Sequence, residues 1–323
     1  MSELELTRLV ECVPNVSEGR RPEVVEEIVA AFAGAAPEVL VLDRSSDPDH
    51  NRTVVTLMGP GPALVEAAVA GARACARLID LNHHRGVHPR MGALDVLPFV
   101  PFGAVTRLRG GDDPDLDCAG LAERAGRRIA AEAGVPVYLY GAAARHPGWA
   151  VLPAVRGRGF EALRAALAAG DTGHAPDFGG PELHPTAGAT AAGAREVLIA
   201  YNVELAGADL ELARRVATAV RERDGGLPAV RAMGVPLEDR GLVQVSMNLL
   251  DYRATPPAAA YAAVAELAER AGARVEASEI VGLVPAGALE GTDPADLRLR
   301  GPTPELFLEA RLLHALTTSK EPS

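Results

Sequence analysis

Lysine is almost missing from this chain. Lys320 is the only one among 323 residues, and arginine supplies the remaining positive charge. Schiff-base chemistry and a P-loop lysine are therefore excluded, and no GxxxxGK[ST] motif occurs. Cysteine is scarce too: Cys12, Cys75 and Cys118 lie far apart without a CxxC pair. They cannot close a disulfide set or build a metal cluster, and they read as small buried apolar residues. No run approaches the roughly 18 consecutive apolar residues of a membrane helix. The opening "MSELELTRLVECVPN" lacks a basic head followed by a long apolar core. No secretory signal is visible, and a cytoplasmic location is the expectation. Aromatic residues make up 4% and the net charge is −11, which argues against a nucleic-acid platform. GxSxG, a Cys-His nucleophile signature and a GxGxxG after a strand are absent as well. What remains is chemistry that needs a proton shuttle and charge complementarity.

Hydrophobic patterning gives the organisation. "RLVECVPNV" reads as a strand ending at a Pro-Asn turn, and "RRPEVVEEIVAAFAG" has the 3.6-residue spacing of a helix. "EVLVLD" and "RTVVTLMG" read as strands around a polar loop, "GPALVEAAVAGARACARLID" as a long helix and "LDVLPFVP" as a strand. A helix over about 115 to 133 and the strand "VPVYLYG" follow. In the second half, "REVLIAYNVEL", "ADLELARRVATAVRERD", "PAVRAMGVPL", "GLVQVSMNLLD", "PPAAAYAAVAELAERAG" and "ARVEASEIVGLVP" read as strand, helix, two strands, helix and strand. Both halves thus spell β-α-β-β-α-β, the split βαβ order. The expected class is α+β, with duplicated ferredoxin-like (βαββαβ) subdomains whose sheets are covered by helices on one face. The expected division is 1–178 and 179–323. Between the halves, residues 167–195 are rich in Gly, Pro, Ala and Thr, yet they carry His174, Asp177, Phe178, His184 and Arg195. Loops this long inside a compact chain tend to be functional or disordered, and these residues are richer than a spacer needs, so function is the expectation.

The densest chemistry lies in "NHHRGVHPRMGALD", residues 82–95. His84 and His88 are four apart, but Gly86 and Pro89 oppose a helix, so a zinc pair on one helical face is not expected. His83, His84 and Arg85 suit a solvated helix end, where cations complement the dipole. His88 and Arg90 sit where the backbone is pinned by Pro89 and Gly92 just before a strand. For His88 a structural role stays open, with catalysis the better fit. "LDRSSDPDHNRT", residues 42–53, lacks a calcium-loop pattern and reads as a self-capping turn, apart from Asn51 and Arg52 at the strand entrance.

The segments "VECVPNVSEGR", "DPDHNRTVVTLMG", "HPRMGALDVLPF", "VPVYLYG", "APDFG", "GATAAGAREVLIAYNV" and "QVSMNLLDY" together resemble the formiminotransferase family. The resemblance runs from about residue 8 past 285. It implies a transferase that moves the formimino group of N-formimino-L-glutamate to N5 of tetrahydrofolate, a co-substrate, without a metal. It also implies roles in one-carbon metabolism and histidine degradation and a homodimer. The animal enzyme carries a fused cyclodeaminase domain, and this chain is expected to be the stand-alone form. The histidine of HPRMGALD, here His88, is implied as catalytic base. The folate-binding stretch falls on Gly179, Gly180, Pro181, Glu182, Leu183, His184, Pro185, Thr186, Ala187 and Gly188. An assisting aspartate of the animal enzyme falls on Ser45, with Asp43, Asp47 and Asp49 close by.

This chemistry suits the residues. N5 attacks the formimino carbon, a proton leaves N5, and another reaches the departing nitrogen; one imidazole can do both in turn. Both substrates carry carboxylates, so Arg52, Arg85, Arg90 and Arg195 are candidate clamps, with Asn51 and Asp95 as further substrate-binding residues and Arg195 also assigned to the folate site. Asp95 fits an amidinium partner and a strand-edge hydrogen bond equally. Two rival readings are the same chemistry on another donor such as formiminoglycine, and a non-catalytic folate-binding module.

Overall fold

In the computed structural model the described residues are 8–103, 105–110, 113–157, 159–237, 240–301 and 304–318. Lys320 and the opening segment 1–7 lie outside them. The chain divides into two compact units, with the boundary between Arg195 and Glu196.

The first unit begins with a strand that Pro14 breaks in two, β1 (Leu9–Cys12) and β2 (Asn15–Val16). Helix α1 (Pro22–Ala33) follows, entered through Pro22 in its first turn, where a missing N–H costs nothing. Then come β3 (Leu40–Asp47), β4 (Arg52–Pro60), α2 (Gly61–Leu78) and β5 (Leu94–Pro101). β5 pairs with β1, β1 with β4 and β4 with β3, every pair antiparallel. The expected β-α-β-β-α-β order is complete at this point, but the unit continues. It adds α3 (Cys118–Ala133), β6 (Val137–Gly141), the short α4 (Leu152–Arg156), α5 (Gly159–Ala168) and β7 (Thr190–Ala194). β7 inserts between β5 and β6 and runs parallel to both.

β7 corrects the sequence reading, which placed residues 179–195 with the second half. "TAAGA" has no strand propensity of its own. It is a strand because it is buried throughout, and its small side chains are what the sheet accepts there. A Cβ on Gly193 would lie 2.5 Å from the Tyr140 ring. Helices α1, α2 and α3 cover the sheet through a core that includes Ile28, Phe32, Leu64, Leu121, Ile129 and Phe99.

The second unit has its own core. It runs β8 (Ile199–Ala206), α6 (Leu210–Val220), β9 (Val230–Leu237), β10 (Leu242–Leu249), α7 (Pro257–Arg270) and β11 (Arg274–Val281). Its four antiparallel strands stand in the order β11-β8-β10-β9, the same relative order as β5-β1-β4-β3. Asp209 caps α6 by accepting from Leu212 N–H at 2.7 Å. The apolar stripes of α6 (Leu212, Val216, Val220) and α7 (Ala260, Val264, Ala268) are buried in this core. Glu204 on β8 is buried and ion-paired with Arg240 and Arg300. After β11 the described chain ends in α8 (Leu308–Thr318). No helix among the described residues is long and apolar enough to cross a membrane.

Candidate active site

Four loops of the first unit converge at the exit of β2 and the entrances of β4, β5 and β7. The first carries "SEG". Ser17 Oγ donates to Gly92 O at 2.7 Å, and Ser17 N–H to Ala93 O at 2.8 Å. Glu18 turns back to accept from the backbone N–H groups of Arg20 and Arg21, which fixes the start of α1. Gly19 donates to Asn51 Oδ1 at 2.9 Å, and a Cβ there would meet Asp47 O at 2.4 Å.

The second loop, 47–52, holds Asn51 at φ 48°, the left-handed region that asparagine tolerates better than most residues. Its Nδ2 donates to Arg85 O at 2.9 Å. Asn51 is thus a tie between three loops, with both ends of its amide engaged. The third loop is the histidine loop. The fourth, 179–188, is stitched onto it: Leu81 N–H donates to Thr186 O, Ala93 N–H to Ala187 O and Ala189 N–H to Met91 O, at 2.8 to 3.0 Å. Gly92 and Gly188 face one another at the tightest point, where a Cβ on Gly92 would lie 1.9 Å from Ala189 O.

Beneath these loops sits a buried charge cluster. Asp95, fully buried, accepts from Met91 N–H at 2.7 Å and Gly92 N–H at 3.3 Å on Oδ1. Its Oδ2 accepts from Arg52 Nη1 at 2.8 Å and from Arg156 Nη1 at 3.0 Å. Burial alone would raise this carboxyl, but the two guanidiniums and the Met91 N–H outweigh it and hold it below the usual carboxylate range. Arg52 also spends Nε and Nη2 on Asn15 Oδ1, at 3.1 and 2.8 Å. Two cations on one anion leave a positive excess in a low-dielectric place, which suits capture of a carboxylate.

His88 stands half-buried beside this cluster. Its Nδ1 lies 2.8 Å from Pro89 O, so Nδ1 carries the proton and donates, and Nε2 keeps its lone pair. Burial, then the Arg52 and Arg156 cations, push its pKa down to about 3. At neutral pH it is an uncharged acceptor. The neighbouring ring, His50, has its centroid 6.1 Å away.

The remaining sequence candidates divide cleanly. His84 Nδ1 accepts from Arg90 Nε at 2.8 Å and its Nε2 lies 3.0 Å from Asn51 O, so neither nitrogen is open to a metal. Among the described residues no three metal-ligating side chains gather. Arg90 grips Glu161 through both oxygens, at 3.1 and 2.8 Å, and Leu81 O at 3.1 Å. It anchors the loop to α5 and lies outside the Asp95 cluster. Asp95 likewise is engaged by protein, through Arg52, Arg156 and the Met91 and Gly92 N–H groups. Arg85 binds the carbonyl of its neighbour His84 at 2.8 Å.

In the fourth loop Leu183, Ala187 and Gly188 are buried, Gly180, Pro181 and Glu182 are exposed, and His184 Nδ1 accepts from Ala187 N–H at 3.0 Å. Asn82 Nδ2 donates to Pro185 O at 3.1 Å, and Gly179 takes φ 93°. Arg195 follows β7 and acts on Tyr140, whose phenol burial pushes up to about 12 against the pull of Arg195. An open depression of about 480 Å³ is lined by residues 84–90 together with Gly159 and Glu161.

Arg156, Asn15 and His50 belong to the site but were not singled out as site residues from the sequence. "LPAVR" offers no local sign that its arginine reaches Asp95, 61 positions away. His50 sat in plain view in the acidic turn, and its histidine neighbour in space was the missing signal.

Comparison with known proteins points to one family. The N-terminal subdomain of the formiminotransferase domain matches residues 9–195, and the formiminotransferase domain matches 200–294. Glutamate formimidoyltransferase of Thermoplasma acidophilum is 43% identical over 294 residues, covering 91% of this chain and 93% of that protein. The Streptococcus pyogenes protein of the same name is 39% identical over 284 residues, covering 88% and 91%. Formimidoyltransferase-cyclodeaminase of Sus scrofa is 43% identical over 290 residues, which is 88% of this chain but 51% of the pig protein. The chain therefore belongs to the formiminotransferase family.

Proposed function

We propose that this chain is a glutamate formimidoyltransferase that moves the formimino group of N-formimino-L-glutamate to N5 of tetrahydrofolate, with His88 Nε2 as the base. The observation that carries the reading is the free Nε2 of a neutral His88 beside the Arg52–Asp95–Arg156 cluster. N5 attacks the amidine carbon, and as the new N–C bond forms its proton passes to Nε2. The bond from that carbon to the glutamate nitrogen then breaks as this nitrogen gains a proton. Arg52 has N–H groups beyond those it gives to Asn15 and Asp95, and these suit a donor carboxylate. Folate binding by 179–188 is supported by the stitching of that loop to the base's own loop. Holding two substrates in attack geometry supplies much of the remaining acceleration. The names of the relatives support formimino transfer involving glutamate. Tetrahydrofolate as co-substrate, a place in one-carbon metabolism and histidine degradation, and a homodimer rest on the family resemblance.

The test is tetrahydrofolate-dependent loss of formiminoglutamate, with formiminoglycine as a parallel donor. His88→Ala should lose on the order of 10²–10⁴ in kcat while folate affinity holds. His83→Ala, whose side chain is exposed and paired with Asp80, should stay near wild type. Equal behaviour of the two variants sinks the assignment.

A further inference from the structure

The transfer needs two proton movements, one away from the attacking nitrogen and one toward the departing nitrogen. The site holds a second imidazole for the second movement. His50 lies in the loop between β3 and β4, 6.1 Å centroid to centroid from His88, with the rings tilted by 56°. That spacing sets two imidazoles side by side, close enough to serve one reacting centre. Backbone contacts hold them there: Val87 N–H donates to Asp49 O at 3.3 Å, and Gly86 passes close against His50 O, where a Cβ would lie at 2.3 Å. His50 Nδ1 lies 2.9 Å from Asp47 Oδ2, an ion pair in contact rather than a well-directed hydrogen bond. Asp47 is itself held in place, because Oδ1 accepts from the N–H groups of Asp49 and His50, both at 2.8 Å.

We propose that His50 is the general acid of the reaction, giving its proton to the donor's departing nitrogen while His88 takes the proton released by N5. The proposal rests on the transfer chemistry above and names its missing acid. The N5–C bond forms and the C–N bond to glutamate breaks. One proton goes from N5 to His88 and one from His50 to the leaving amine, and exchange with water then resets both rings. The charges around His50 fit this role. Asp47 and Asp49 face it from its own loop, Arg52 from β4, and His88 from the histidine loop. Arg20 comes near from the "SEG" loop through Pro48 O, and Arg85 turns to the carbonyls of its own loop. Contact with Asp47 raises His50 above the ordinary histidine value despite burial, while its partner ring is pushed the other way. Two titratable groups driven apart by their surroundings form an acid and base pair.

The experiment is the pH dependence of kcat for wild type, His50→Gln and Asp47→Asn. With wild type, kcat should fall on the alkaline side as His50 loses its proton. His50→Gln should lower kcat at pH 7 by about 10²-fold and abolish that limb, with both KM values little changed. Asp47→Asn should keep the limb but move it to lower pH. Should His50→Gln fold poorly, the shift in Asp47→Asn decides alone, and an unmoved limb overturns the assignment. A His50→Gln enzyme with wild-type kcat, or with the limb intact, also overturns it. If in addition His88→Ala is dead, the transfer chemistry stands and only the acid is misassigned. If wild type moves no formimino group at all, both readings fall together.

Discussion

At the scale of residues, the site is a set of side chains whose ordinary behaviour is bent by neighbours. A buried carboxylate that binds two guanidiniums is costly to disturb, because removing one partner strands charge in a low dielectric. Arg156 is the informative partner, since it acts on His88 through space and donates nothing to it. Arg156→Gln should move the His88 pKa upward from about 3, read from the ring resonances in an NMR titration. An unmoved titration would mean that burial and Arg52 set it without Arg156. Of the residues in this cluster, the sequence singled out His88 and Arg52 by their places at strand entrances and Asp95 as a carboxylate close to them. For Arg90, nothing local reveals that Glu161, 71 positions on, engages its fork. A lone charge reads as a clamp until its partner is seen.

At the scale of elements, glycine placement rather than propensity decides how the loops meet. Gly92→Ala would drive a methyl into the Ala189 carbonyl and part the histidine loop from the 179–188 loop. Overpacking of this kind costs about 1–3 kcal/mol. The variant should lower the melting temperature and weaken folate binding and kcat together. A variant that loses only stability would show that the stitch is not needed for the chemistry. Element types were readable wherever the period was strong: α2, α3 and α7 follow their apolar stripes, and β4, β5, β8 and β10 their β-branched runs. β7 was not readable. Its sequence is small and featureless, and only the neighbours on both edges make it a strand.

At the scale of the whole chain, the strongest shifts point one way in acid. His88 sits at about 3 against 6.5, and Asp47 and Glu161 at about 2 against 3.8 and 4.5. Each lowered value means that the folded chain binds fewer protons than the unfolded chain in between, so stability is full above the unfolded value and is lost as pH falls. The melting temperature should therefore drop progressively from about pH 6.5 toward 2. His50, raised instead, contributes stability below 6.5 that fades as pH rises. A flat profile between pH 6 and 4 would mean that the neutral His88 is not protected in the fold. The place of β7 has a practical consequence for building hybrids between relatives. A chimera joined after residue 178 would import a foreign strand into the middle of the native sheet, along with half of a paired loop. The recombination joint belongs after Arg195, where a crossover leaves each module with the strands it was selected to pack.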